Sequence, residues 1–383
     1  MPLEPARRTP EPFAPMNPSV ITIIGSGMMG SALAFPAREN GHSVRLVGTP
    51  LDRDIIAACR QSNRHPKFDR DFPEGVRFFQ WEEAQTALDG ADLVIGGVSS
   101  FGVDWFADAV LPLVPETTPI LSVTKGLIAD ASGNLLNYPE YWKRKIAPAK
   151  RSLNAVGGPC TSYELVAHDP TVVSFCGDDP AVLDRIRSLL QTGYYHIETT
   201  TDVAGVECAV ALKNAYALTV AFAVGLNEKL NNGRERIIAA MRSYAANGVT
   251  PEFRAAFGPQ HYNSQAAVFG QSAREMRRLL QFIVGNDNQL HVGIGDLYVT
   301  VFGGRTQLLG CLLGLGLTYD EALKILSGVT LESTVIVTRI VTALRSWAAA
   351  GKLDLADFPL IAAFGDILID GKTTQIPWSQ FVR

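Results

Sequence analysis

Ser19-Val-Ile-Thr-Ile-Ile-Gly25-Ser26-Gly27-Met28-Met29-Gly30-Ser-Ala-Leu-Ala34 decides the reading of the first half of the chain. Residues 19–24 are a β-branched run of the kind that forms a buried strand. A glycine-rich turn follows at once, then a helix start, and a second strand at 44–47. A lone GxGxxG is a weak signal; between a strand and a helix it is a dinucleotide-binding fingerprint. Gly25 permits the tight turn, Gly27 lets the backbone approach a pyrophosphate, and Gly30 lets the helix pack on the strand. With Ser26, Met28 and Met29, these glycines place the helix N-terminus, its N–H groups and its positive dipole end toward phosphate.

The second strand ends in Val47-Gly48-Thr49-Pro50, without the acidic residue that usually holds a ribose hydroxyl. Asp52 could serve NAD and Arg53 could meet the 2′-phosphate of NADP, so both cofactors remain open. Strands continue at 91–96, 120–123, 154–156, 171–175 and 194–198. Open α/β sheets bind ligands at the carboxyl ends of their strands. Lys125, in Thr124-Lys125-Gly126, stands at such an end and is a ligand candidate.

From Thr201 the periodicity becomes helical. The run from Asp202 to Gly225 is apolar on nearly all sides, yet carries Lys213 and Asn214 near its middle. Residues 208–226 are long enough to cross a membrane, but those two polar residues argue against a span. A buried ammonium must be paired or lose its proton, and a desolvated lysine is a good general acid or base. Glu207 and Asn214, two turns apart, share a face beside it, making a polar notch. Further helices are expected at 264–282, 318–327, 332–350 and 359–368.

Two other motifs stand out, Gly293-Ile-Gly295-Asp296-Leu-Tyr-Val-Thr300 and Gly303-Gly304-Arg305-Thr306. The glycines before Asp296 suggest a close backbone approach, and Asp296 is the candidate counter-ion of Lys213. Arg305, on a glycine-flanked turn, is a candidate anion clamp.

Composition is that of a soluble protein. A net charge of -4 gives no reason to expect nucleic acid or a membrane surface. Cys59, Cys160, Cys176, Cys208 and Cys311 are scattered in apolar settings, as expected of reduced thiols in the cytoplasm. Neither cysteines nor histidines show metal-ligand spacing, so no metal is expected. The first 18 residues hold six prolines and no signal-peptide core, and read as a flexible extension.

These motifs, in this order, resemble the NAD(P)-dependent glycerol-3-phosphate dehydrogenases over about residues 20–366. The resemblance rests on Gly25 to Ala34, Thr124-Lys125-Gly126, Gly205 to Asn214, Gly293 to Leu297 and Gly303 to Arg305. It implies an α/β Rossmann-like N-terminal domain at 19–200 and an all-α C-terminal domain at 201–383, with the active site between them. It also implies reversible hydride transfer between NAD or NADP and dihydroxyacetone phosphate or glycerol 3-phosphate. Carried over, Lys213 is the acid/base, Lys125 polarises the carbonyl and Asp296 pairs with Lys213. Asn214, Thr300, Arg305 and Thr306 hold a small phosphorylated substrate, while Ser162, Arg305 and Glu332 approach the cofactor. A homodimer is expected.

The chain departs from the family pattern at Thr306 and Gln307, and at Gln265 and Gln271, where fewer cations would hold a phosphate less tightly. Met29 replaces an aromatic residue and Ser99 a proline. Around 227–262 there are roughly thirty extra residues, more than ordinary loops carry. Two alternatives are a same-fold dehydrogenase for another polyol phosphate or hydroxy acid, and a non-catalytic NAD(P) sensor.

Overall fold

The computed structural model describes residues 18–130, 133–148, 150–248, 250–258, 262–302, 304–329 and 331–382, without the side chains of 245–247 and 332. The proline-rich segment 1–17 and the Glu332 side chain lie outside them. The chain divides into two compact units. One comprises Met1–Val123, Pro148–Ala155 and Cys160–Thr201; the other comprises Thr124–Ala147, Val156–Pro159 and Asp202–Arg383. This differs from a single cut after residue 200. Two short segments from the first half of the sequence fold with the helical unit, and one of them carries Lys125.

The strands, in chain order, are β1 (Val20–Ile24), β2 (Ser43–Val47), β3 (Arg77–Phe79), β4 (Leu93–Gly96), β5 (Ile120–Ser122), β6 (Leu127–Ala129), β7 (Leu135–Asn137), β8 (Leu153–Gly157), β9 (Thr171–Cys176) and β10 (Tyr195–Thr200). Eight form one sheet in the order β10-β9-β8-β5-β4-β1-β2-β3. β1 pairs in parallel with β2 on one side and β4 on the other. Ile21, Ile23, Val44, Leu46, Val94 and Ile95 are fully buried, the continuous apolar run of a sheet covered on both faces. The chain reverses its direction of travel across the sheet between β1 and β4, which makes the carboxyl end of β1 the topological switch point. The glycine loop and helix α1 (Met28–Glu39) begin there. Helix α2 (Arg53–Ser62) follows β2. Strand β3 was not anticipated: at three residues, its hydrophobic pattern is too short to read.

The helical unit is built around α3 (Val203–Leu230). Around it lie α4 (Arg234–Asn247), α5 (Pro251–Ala255), α6 (Tyr262–Val284), α7 (Leu290–Val301), α8 (Arg305–Gly314), α9 (Tyr319–Ile325), α10 (Glu332–Ala349) and α11 (Pro359–Leu368). The unit also holds the antiparallel hairpin of β6 and β7, an addition to the all-α expectation. Helix α3 is long and apolar enough to cross a membrane, but 83% of its most apolar window is buried inside this unit, as in the core helix of a soluble domain. Helices α6, α7, α8 and α10 all pack on it.

The segment 227–262 contains α4 and α5, whose Ile237, Met241 and Phe253 join the core of the helical unit. At its base the buried Glu228 carboxylate accepts from Gly258 N at 2.7 Å and Arg236 Nη2 at 3.2 Å.

Candidate active site

Asp296 lies on α7 and is 1% exposed. Its Oδ1 accepts a hydrogen bond from Lys213 Nζ at 2.8 Å, and its Oδ2 accepts one from Lys125 Nζ at 2.5 Å. One turn along the same helix, Thr300 Oγ1 accepts from Lys213 at 2.9 Å and donates to the Asp296 carbonyl at 2.7 Å. Lys125 also donates to Gly158 O at 3.0 Å. The Lys125 and Lys213 side chains keep 19% and 13% exposure, whereas the Asp296 carboxylate between them is almost wholly buried. Asn214 is half-buried beside Lys213, and its amide has no hydrogen-bond partner among the described residues.

Local sequence explains the geometry. Gly293 lies inside α7, not in a turn, and the close approach expected of it is helix on helix. A Cβ there would stand 2.8 Å from Ala209 O, one turn before Lys213 on α3. Without that contact α7 could not bring Asp296 to the lysine. Gly157 closes a second gap: a Cβ would meet Val206 Cγ1 at 2.6 Å and Val210 Cγ1 at 2.8 Å. This holds the 156–159 segment, and the Gly158 carbonyl that Lys125 uses, against α3. Two ammonium groups around one carboxylate leave an excess positive charge in a poorly hydrated place, suited to an anion or a developing alkoxide.

Arg305 is the exposed first residue of α8 and follows Gly304, whose φ is +86°. The motif there is therefore a helix start as well as a turn. Thr306 is buried behind it. Gln271 has a different role from the one suggested by its place in the sequence. It is buried and donates to Glu275 Oε1 at 3.1 Å, and Glu275 accepts the N–H groups of Leu360 and Ile361 at the start of α11. That departure belongs to core architecture.

The other unit carries the glycine loop. A Cβ on Gly25 would stand 2.7 Å from Gly97 C, and one on Gly30 would strike Gly25 O. Gly27 is different: its Cβ would meet only Gly97 O, at an ordinary 3.8 Å. Protein packing explains Gly25 and Gly30 but not Gly27, whose open face fits a closely approaching ligand. The N-terminus of α1 has no side-chain cap and no acidic residue in its first turn. The half-buried Met28 and Met29 form that turn, and the buried Ser26 Oγ has no hydrogen-bond partner among the described residues. These features fit a dinucleotide pyrophosphate. Ser162 is buried at the start of a short helix in the same unit.

Two side chains hold this loop, Asp52, read above as a ribose ligand, and His65, which carries no motif. Asp52 Oδ2 accepts from Ser26 N at 3.3 Å and from Thr49 N and Oγ1, each at 2.8 Å. The buried His65 accepts from Lys67 N at Nδ1, so Nε2 carries the hydrogen and donates to Ser26 O at 3.1 Å. Ser26 is thus gripped at both its N–H and its carbonyl. Burial lowers the His65 pKa and keeps the ring neutral. Arg53, exposed at the start of α2, pairs with Glu82.

Comparison with known proteins decides the family. The N-terminal model of NAD-dependent glycerol-3-phosphate dehydrogenase matches residues 20–182 and the C-terminal model matches residues 253–377. The chain belongs to the NAD-dependent glycerol-3-phosphate dehydrogenase family.

Among curated members, it is 29% identical over 356 residues to the NADP(+)-dependent glycerol-3-phosphate dehydrogenase of Archaeoglobus fulgidus, covering 92% of this chain and 96% of that one. It is 26% identical over 358 residues to the glycerol-3-phosphate dehydrogenase [NAD(P)+] of Brucella canis, covering 92% and 94%. The fold is that of the Coxiella burnetii glycerol-3-phosphate dehydrogenase, with TM-score 0.70 at 21% identity over 95% of this chain and 98% of that one. The Plasmodium falciparum structure gives 0.73 at 17% identity over 96% and 94%. Members of this family are NAD(P)-dependent oxidoreductases acting on a CH–OH group.

The grip on Ser26 generates a prediction. His65→Ala removes one buried hydrogen bond, worth about 0.5–1.5 kcal/mol, so NADPH should bind roughly 2- to 12-fold more weakly by fluorescence titration. Protonation would set an Nδ1–H against the Lys67 N–H that now donates there and dislodge the ring; because the ring's pKa is lowered, wild-type affinity should hold down to its ordinary value near 6.5 and decline only below it. The variant should lack that decline. Unchanged affinity in His65→Ala would show that the loop needs no such grip.

Proposed function

We infer that the protein is an NAD(P)-dependent glycerol-3-phosphate dehydrogenase, interconverting dihydroxyacetone phosphate and glycerol 3-phosphate. The observation that carries this reading is the Lys125–Asp296–Lys213 cluster in a chain of this family. When bound, the nicotinamide supplies or accepts the hydride.

Every other part falls to the chain's own groups. As the carbonyl carbon of the substrate is reduced, charge builds on its oxygen. Lys213 donates a proton to that oxygen, and in the oxidative direction removes it. Lys125 polarises the same carbonyl with its ammonium. Asp296 holds both lysines and offsets part of their charge. Thr300, fixed by the Asp296 carbonyl, orients Lys213. Asn214 supplies a donor and an acceptor for substrate hydroxyl groups. Arg305 and Thr306 receive the phosphate, the guanidinium as a bidentate donor.

Within NAD(P), we propose a preference for NADPH. Asp52 Oδ2 is engaged by Ser26 and Thr49, whereas the exposed Arg53 needs only to leave Glu82 to meet a 2′-phosphate. A relative described as NADP(+)-dependent supports this. The free cysteines support a reducing, cytoplasmic setting. The exposed aromatic side chains of Tyr262, Tyr298 and Phe302 support a homodimer.

Initial rates of NADH and NADPH oxidation with dihydroxyacetone phosphate test the reading. Lys213→Met should lower kcat by about 10²–10⁴-fold with little change in KM. Arg305→Ala should instead raise KM for dihydroxyacetone phosphate roughly 10- to 100-fold, the loss of a charge-assisted pair. Equal activity on glycerol and glycerol 3-phosphate would contradict the phosphate assignment. Arg53→Ala should raise KM for NADPH by about tenfold or more and leave NADH unchanged; parallel changes would contradict the cofactor preference.

A further inference from the structure

Glu207 lies on α3 two turns before Asn214 and on the same face, and is fully buried. Neither of its carboxyl oxygens has a hydrogen-bond partner among the described residues. A buried polar group left without a partner is costly, and in a native protein it calls for an explanation. The Glu275 network shows what a structural carboxylate looks like in this unit: it accepts from two backbone N–H groups and two side chains. Among the described residues, the Glu207 carboxyl accepts no such bond.

Its neighbours supply the explanation. Val206 and Val210, beside it on the helix, press on Gly157, and the adjacent Gly158 carbonyl takes a hydrogen bond from Lys125. The Gly158 carbonyl thus brings the Lys125 ammonium to the side of α3 where Glu207 lies, and the charge of Lys125 opposes the effect of burial on the Glu207 carboxyl. From α7, Asp296 binds that same lysine. On α3 itself, Asp202 and Cys208 are the nearby titratable groups. The Cys208 thiol is pushed up to about 12, by burial first and then by Glu207 and Asp202.

We propose that the Glu207 carboxyl sets the net charge of the Lys125–Asp296–Lys213 cluster and so governs its hold on an anionic substrate. As the neutral acid it leaves two ammonium groups against one carboxylate, which favours a phosphate dianion and a developing alkoxide. As the carboxylate it draws Lys125 away from Asp296 and cancels the positive excess. Glu207 is therefore a positioning residue that acts through Lys125. Burial pushes its carboxyl up to about 8, opposed by the charge of Lys125. A raised carboxyl is neutral below that value and ionises as pH rises through it, so the loss falls on the alkaline side.

The proposal rests on the dehydrogenase reading, and its test separates the two. KM for dihydroxyacetone phosphate is measured from pH 6.5 to 9.5 at saturating NADPH. Between pH 7 and 9 the wild-type KM should rise about tenfold, as a single ionisation near 8 requires. Glu207→Gln keeps the neutral shape and should hold its pH 7 KM across that range. Parallel wild-type and variant profiles would overturn the proposal while leaving the dehydrogenase reading intact. No wild-type turnover at any pH would remove that reading and this proposal with it.

A second measurement does not need the variant to fold. Glycerol 3-phosphate binding to wild-type protein is followed by calorimetry at pH 8 in two buffers of different ionisation enthalpy. The phosphate, with a second pKa of about 6, is already a dianion. Uptake of about half a proton per site would reflect reprotonation of Glu207 on binding. Binding without uptake would overturn the proposal.

Discussion

The helical unit is organised around one carboxylate that two lysines share. Asp296 is almost wholly buried, and each of its oxygens takes a different ammonium group. Ion pairs in such places are only marginally favourable, because desolvation offsets most of the attraction. Removing one member is far worse than never having the pair, since it leaves a buried charge uncompensated. A site built this way is sensitive to every contact that sets its spacing. That explains why α7 crosses α3 at Gly293 without a side chain between the backbones. It also explains why Thr124–Ala147 and Val156–Pro159 fold with helices that come much later in sequence. One of those segments carries the second lysine and the other its backbone acceptor.

The glycine-loop unit follows a different rule. Its charges act to fix backbone. Asp52, in the sequence region where a ribose ligand is expected, tethers Ser26 and Thr49, and His65 completes the grip from the other side. Among the described residues, no close contact accounts for Gly27 and Ser26 Oγ has no hydrogen-bond partner. A loop held by its own neighbours can present N–H groups to phosphate without being reordered on binding, which is the general benefit of preorganisation.

Much of this was legible in the sequence where one local pattern had one physical meaning. A β-branched run meeting GxGxxG gave β1, the turn and α1. An ammonium inside a long apolar helix demanded a partner, and Asp296 is that partner. What stayed hidden depended on distant residues or on misleading local signals. Gly293 and Gly295, read as marks of a close backbone approach, lie inside α7, where helix-on-helix contact overrides their poor propensity, and the turn expected at Arg305 is also the start of α8. Lys125 looked like a residue at a strand end, and only tertiary structure shows that it shares Asp296 with Lys213. His65 and Gly97 carry no local signature at all. Gln271, read as a lost cation of the substrate site, is a buried partner of Glu275.

The central claim is that the two lysines and Asp296 act as one unit. A double-mutant cycle on kcat/KM for dihydroxyacetone phosphate, using Lys213→Met, Asp296→Asn and the combined variant, tests it most directly. Residues acting as a unit are strongly non-additive, so the double variant should be no more than about threefold worse than the poorer single one. Losses that multiply across the two substitutions would mean that Asp296 and Lys213 contribute independently, and would contradict the account.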